Sequence, residues 1–250
     1  MSEPICKVAD IIFVRFELVD LEPQKEYMEH FGMILAHETE DAIFYRGTGT
    51  APYCYVATKG QSNRFIGTAY RANALSDLEA LAAAKGVSIV ANTEPGGGHK
   101  VTLIDPDNIE IEVYYGLQPS EPISINPIML NTGVDKPREN TLQRFGRGSD
   151  EWQLHDNRWV YELTSKVKRL GHTAINVADA AISVDWYANT LGFLISDNLL
   201  APDGPHSIGA FMRCDQGDVP VDHHTLNNVQ FLGEPKPAFG HAGFEVTDSV

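Results

Sequence analysis

His172 and His241 occupy the same place in two copies of one sequence repeat, and that equivalence makes them candidate metal ligands. His172 opens the run HTAINV and His241 opens HAGFEV; both read as short strands. Successive side chains of a strand point to opposite faces. Thr173, Ile175 and Val177 then share one face and His172, Ala174 and Asn176 the other. Likewise Ala242, Phe244 and Val246 oppose His241, Gly243 and Glu245. The apolar faces pack under helices, which turns each histidine toward the side where curved sheets enclose a cavity. Two imidazoles converging from paired strands suit a first-row divalent metal. A single histidine on such a strand is more often an ordinary polar group; the repeat-equivalent pair reverses that balance.

A third ligand is expected from the second repeat. There the sequence IDPDNIEIEV is read as a tight Asp-Pro turn entering a strand that carries Glu110 and Glu112. Glu112 lies 45 residues after Gly67, the residue aligned with His241. The same offset from His241 falls near position 286, so a glutamate is expected beyond residue 250 and the chain is read as a fragment. His223 and His224 are adjacent. On a strand they would face opposite sides, so one of them can enter the cavity. A neutral imidazole beside a metal-bound phenol is a fit proton acceptor at neutral pH. Without the flanking ligands the two would read as surface histidines by a loop.

The elements that must position these residues follow from the repeat. Residues 13–35 and 172–195 each show a strand, an Asp suited to cap a helix (Asp20, Asp179), a helical stretch, a Gly suited to end it (Gly32, Gly192) and a further strand. Residues 65–85 and 240–250 begin two more copies. Short β-rich runs complete the first three: AIFYR and YCYVAT, then SIVAN, HKVTLI and IEIEVYY, then IGAFMRC and HTLNNVQFL. The pattern is βαβββ four times, the fourth cut short, which gives an α+β fold. The positions aligned with His172 are Phe13, Gly67 and His241. Two domains are expected: 8–116, a pair of modules without metal, and 166–250, an incomplete metal-binding domain. Residues 117–165, rich in Pro, Asn, Gly and charge, read as the connection. Trp152 and Trp159 in it are expected to pack on both domains.

The bulk numbers set limits. A chain of 250 residues with 43% hydrophobic content can bury a core. A formal charge of −15 gives no electrostatic reason to bind nucleic acid or an anionic membrane. Three scattered cysteines, Cys6, Cys54 and Cys214, make neither a disulfide framework nor a zinc site; they read as buried filler in a reducing compartment. The N-terminus does not read as a signal peptide, and no apolar run approaches the ~18 residues a span needs, so a soluble cytoplasmic protein is expected.

The segments LGHTAINV from Leu170, WYANTLGF, FMRCD, DHHTL and GHAGFEV, in that order, resemble type I extradiol ring-cleaving dioxygenases of the vicinal oxygen chelate superfamily. The resemblance covers both domains and is strongest over residues 168–250. It implies paired βαβββ modules, an N-terminal pair that has lost its metal, and a C-terminal pair holding Fe(II), or Mn(II), through two His and one Glu. On it His172 and His241 are metal ligands, His224 is the acid–base catalyst and a substrate contact, and Phe211 borders the substrate pocket or serves as a core strand residue. The implied partners are a catechol and O2, and the implied assembly is a homo-oligomer. Two other readings stand beside it: a glyoxalase-like lyase or isomerase using its metal as a Lewis acid, and a non-catalytic protein that sequesters an aromatic ligand. The HHTL motif argues against the first and the two histidines against the second.

Overall fold

The computed structural model describes residues 3–124, 134, 152–155, 158–161, 166–230 and 237–246. The first module contains β1 (Val8–Leu18), α1 (Glu22–His30), β2 (Ile34–Glu38), β3 (Ala42–Arg46) and β4 (Tyr55–Lys59). The second contains β5 (Arg64–Ala72), α2 (Leu75–Lys85), β6 (Val90–Ala91), β7 (His99–Ile104) and β8 (Glu110–Tyr115). A hairpin of β9 (Trp152–His155) and β10 (Arg158–Tyr161) follows. The third module contains β11 (Val167–Asn176), α3 (Ala180–Leu191), β12 (Leu194–Leu200), β13 (Ser207–Arg213) and β14 (Leu226–Val229), and β15 (Ala238–Val246) begins a fourth. The expected α+β class and the βαβββ repeat are both present. The expected start of a fourth helix and the packing of Trp152 and Trp159 lie outside the described residues.

Local sequence explains the element ends. Asp179 is the N-cap of α3, its carboxylate accepting from the Ile182 N–H at 3.0 Å. The helix ends at Gly192, whose φ of 73° is open to glycine at little cost. Asp20 differs from the expected cap. The N-cap of α1 is Leu21, with no side-chain bond, and Asp20 accepts instead from the Glu22 N–H at 3.1 Å. Pro near the start of α1 supplies preset helical geometry there.

The first two modules form one eight-stranded sheet, ordered β2-β3-β4-β1-β5-β8-β7-β6. The third module and β15 form a five-stranded sheet, β12-β13-β14-β11-β15. Its five strands repeat the order of β2-β3-β4-β1-β5. In both, the first strand of the module pairs in parallel with the last and antiparallel with the first strand of the next.

The sheets share a hydrophobic core that includes Val8, Tyr45, Tyr70, Ile175, Tyr187, Leu191 and Phe193. Tyr70 meets Phe193 edge-on at 5.4 Å. Tyr187 donates to the buried Asp105 carboxylate at 3.0 Å, and the Thr48 N–H donates to the Val167 carbonyl at 2.8 Å. Cys6, Cys54 and Cys214 are free and buried, and burial pushes each thiol up to about 12. No described helix is long and apolar enough to cross a membrane.

Candidate metal centre

Strand register fixes which residues are equivalent in the two sheets. His172 faces Gly243 and Ala174 faces His241 across β11 and β15. Phe13 faces Ala69 and Arg15 faces Gly67 across β1 and β5. His172 therefore matches Phe13, and His241 matches Gly67. The parallel pairs Thr173–Leu226 and Val14–Tyr55 extend the match to the ends of the modules. By the same count His224 matches Tyr53.

In the five-stranded sheet the histidines converge. His172 Nε2 lies 3.0 Å from His241 Nε2, with the rings nearly perpendicular at 84°. Two ligands at right angles on one ion, each about 2.1 Å from it, stand about 3.0 Å apart. The Nε2–Nε2 spacing matches that of two adjacent ligands on one divalent ion. Burial, with His224 and His241 adding to it, pushes the His172 pKa down to about 4, so its ring is neutral at neutral pH. A neutral ring is the form that ligates.

His224 packs on His172 with ring centroids 4.3 Å apart, and Phe211 of β13 meets His224 edge-on at 4.8 Å. Burial also lowers the His224 pKa, with His223 next in importance. The two adjacent histidines lie in an irregular stretch before β14, not on the strand itself. They do not turn to opposite sides as strand neighbours would, since both rings lie near Phe211, at 6.0 and 4.8 Å. His223 turns to Asp197, Nε2 to Oδ2 2.9 Å, while its Nδ1 lies 3.3 Å from Nδ1 of His224. That leaves His224 Nε2 for another partner. Among the described residues no group of three or more His, Cys, Asp or Glu is arranged to hold a metal ion. Of the other carboxylates nearby, Asp222 and Glu245 are both bound to Arg169.

The eight-stranded sheet keeps the same scaffold with different chemistry. Phe13 packs on Tyr53 at 5.0 Å where His172 packs on His224. Glu112, opposite Ala69 on β8, is 5% exposed and accepts from Arg15 Nε at 3.0 Å. Lys100 binds its other oxygen. The remaining arms of Arg15 fork onto Glu94 at 2.7 Å each. A guanidinium thus neutralises the carboxylate that the sequence leaves without histidine partners. Sequence reasoning missed this network. Its one local signal was an arginine two residues after Phe13, on the same strand face.

No curated protein matches the sequence. Residues 169–248 match the family model described as Glyoxalase/Bleomycin resistance protein/Dioxygenase superfamily. Among solved structures, the Mn(II)-bound glyoxalase from Novosphingobium aromaticivorans is similar, with a TM-score of 0.66 and 18% identity over 95% of this chain and 65% of that one. Homoprotocatechuate 2,3-dioxygenase from Arthrobacter globiformis gives 0.66 and 18% over 98% and 65%. The 2,3-dioxygenase LapB from Pseudomonas sp. KL28 gives 0.67 and 16% over 96% and 75%. The chain spans 58–65% of the length of the first three similar structures. At these identities the likeness establishes the fold. The segment that matches the family model is the one that carries His172, His224 and His241, and the fold of the described residues is similar to that of these structures.

Proposed function

We propose that this chain forms the metal-binding part of a non-haem Fe(II) extradiol dioxygenase that cleaves a catechol-type ring with O2. The observation that carries the reading is the 3.0 Å approach of His172 and His241 with His224 packed against His172. His172 and His241 would hold the ion, Fe(II) or Mn(II). The third ligand would be a glutamate on a strand paired in parallel with β15, opposite Gly243 as Glu112 is opposite Ala69. A bound iron would supply Lewis acidity toward the diol and the redox chemistry that O2 requires. His224 Nε2, facing away from His223, would take a proton from a catechol hydroxyl and later return it. Phe211, against the His224 ring, gives an aromatic substrate an apolar wall.

The test is oxygen uptake by the full natural protein, loaded anaerobically with Fe(II), against mono- and bicyclic catechols. Uptake with a yellow product is expected, and its loss in His172→Ala and in His241→Ala. His224→Gln should lower kcat by roughly 10²–10⁴-fold with metal still bound. No uptake by iron-replete protein with any catechol in the panel would remove the reading. A second reading draws on the shared fold of the Novosphingobium glyoxalase: a lyase or isomerase using the metal as a Lewis acid. Turnover with Zn(II), which has no redox chemistry, would favour it.

A further inference from the structure

Arg169 lies on β11 three residues before His172, and its guanidinium binds two carboxylates on two other segments. Nη1 and Nη2 fork onto Asp222 at 2.6 and 2.7 Å. Nε donates to Glu245 at 2.9 Å. Asp222 stands two residues before His224, and Glu245 four residues after His241 on β15. One side chain therefore joins the three segments that carry the three converging histidines. We infer that Arg169 is a positioning residue whose two arms set the places of His224 and His241 against His172, an inference that rests on the metal-centre reading above.

The other half of the molecule separates this role from ordinary sheet pairing. Arg169 and Glu245 are cross-strand partners, and such pairs help any antiparallel sheet. The equivalent partners in the eight-stranded sheet are Asp10 and Arg71, the same pairing with the charges exchanged. The Asp222 arm has no counterpart, because the position equivalent to Asp222 is Ala51. The third connection is thus found where the histidines are and is missing where they have been replaced. The fork also explains arginine over lysine: a planar guanidinium serves a bidentate carboxylate and a second acceptor at once, whereas an ammonium is a point charge. Lys168 beside it reaches Glu245 alone at 3.0 Å.

The test reads ring-to-ring contacts directly, by nuclear Overhauser effects between histidine ring protons in the metal-free chain. The unaltered chain should show both His172–His224 and His172–His241 cross-peaks. Asp222→Ala should lose the first and keep the second. Glu245→Ala should keep the first and lose the second, and Arg169→Gln should lose both. Should Arg169→Gln fail to fold, the two single-arm variants decide alone. A merely structural role would lower the melting temperature and leave both cross-peaks in every folded variant, which would overturn the inference. Indiscriminate loss of both contacts in each single-arm variant, or their absence from the unaltered chain, would overturn it too. Lack of oxygen uptake by the iron-loaded natural protein would instead count against the dioxygenase reading and leave the contact pattern as it is found.

Discussion

Equivalent residues in the two sheets show how one scaffold holds two chemistries. Phe13 and Tyr53 repeat the contact of His172 and His224, and Arg15 and Lys100 pair with the buried Glu112 beside them. Arg15 is 9% exposed and Glu112 5%. Removing Arg15 leaves the buried Glu112 with Lys100 as its remaining cation, so Arg15→Ala should cost about 1.5–3 kcal/mol, the range for lost hydrogen bonds to charged groups, measurable by urea unfolding. A loss below about 1 kcal/mol, the range of an exposed pair, would show the network to be solvent-screened. Asp105 offers a test in pH. Burial raises its pKa, against the bonds it accepts from the Ile109 N–H, Tyr187 hydroxyl and Asp107 N–H. The folded state then holds this proton to higher pH than the unfolded chain does. Its contribution is fully present below the ordinary aspartate range and falls as pH rises through the raised value. Asp105→Asn should flatten that fall, read as the difference in unfolding free energy between the two proteins across about pH 3.5–7. A constant difference across that window would contradict the assignment.

At the scale of elements, the two helix starts differ although the sequence makes them look alike. Asp179 caps α3 directly, whereas Asp20 sits one residue ahead of the Leu21 cap. Asp179→Ala should cost about 1 kcal/mol and Asp20→Ala less, compared by chemical denaturation. Equal losses would mean that α1 also depends on its aspartate as a cap. At the far end of α3, a Cβ on Gly192 would stand 2.7 Å from the Cys6 carbonyl oxygen, at a φ that disfavours side chains. This glycine ends a helix and also lets the N-terminal segment close over it. The repeat foretold the first of these uses and gave no sign of the second.

At the scale of the whole molecule, the two sheets are joined by shared core and by polar ties. Tyr70 meets Phe193, Tyr187 reaches Asp105, and the Ile5 N–H donates to the Asn189 carbonyl at 2.9 Å. Loss of either sheet would expose the other's core, so thermal unfolding should be one transition, coincident by far-ultraviolet dichroism and tyrosine fluorescence. Two separated transitions would show that the halves fold independently. The sequence by itself determined the α+β class, the βαβββ repeat, the burial of the cysteines and the alignment of His172 with His241. These follow from local rules: strand alternation, capping residues, and a period that recurs along the chain. Tertiary structure alone decided that His224, not His223, packs against His172, that Arg15 takes up the carboxylate of Glu112, and that Arg169 reaches both Asp222 and Glu245. Those pairings join residues 52 to 97 positions apart. Their distances are set by strand register and by how the loop before β14 folds back, and no local pattern encodes either.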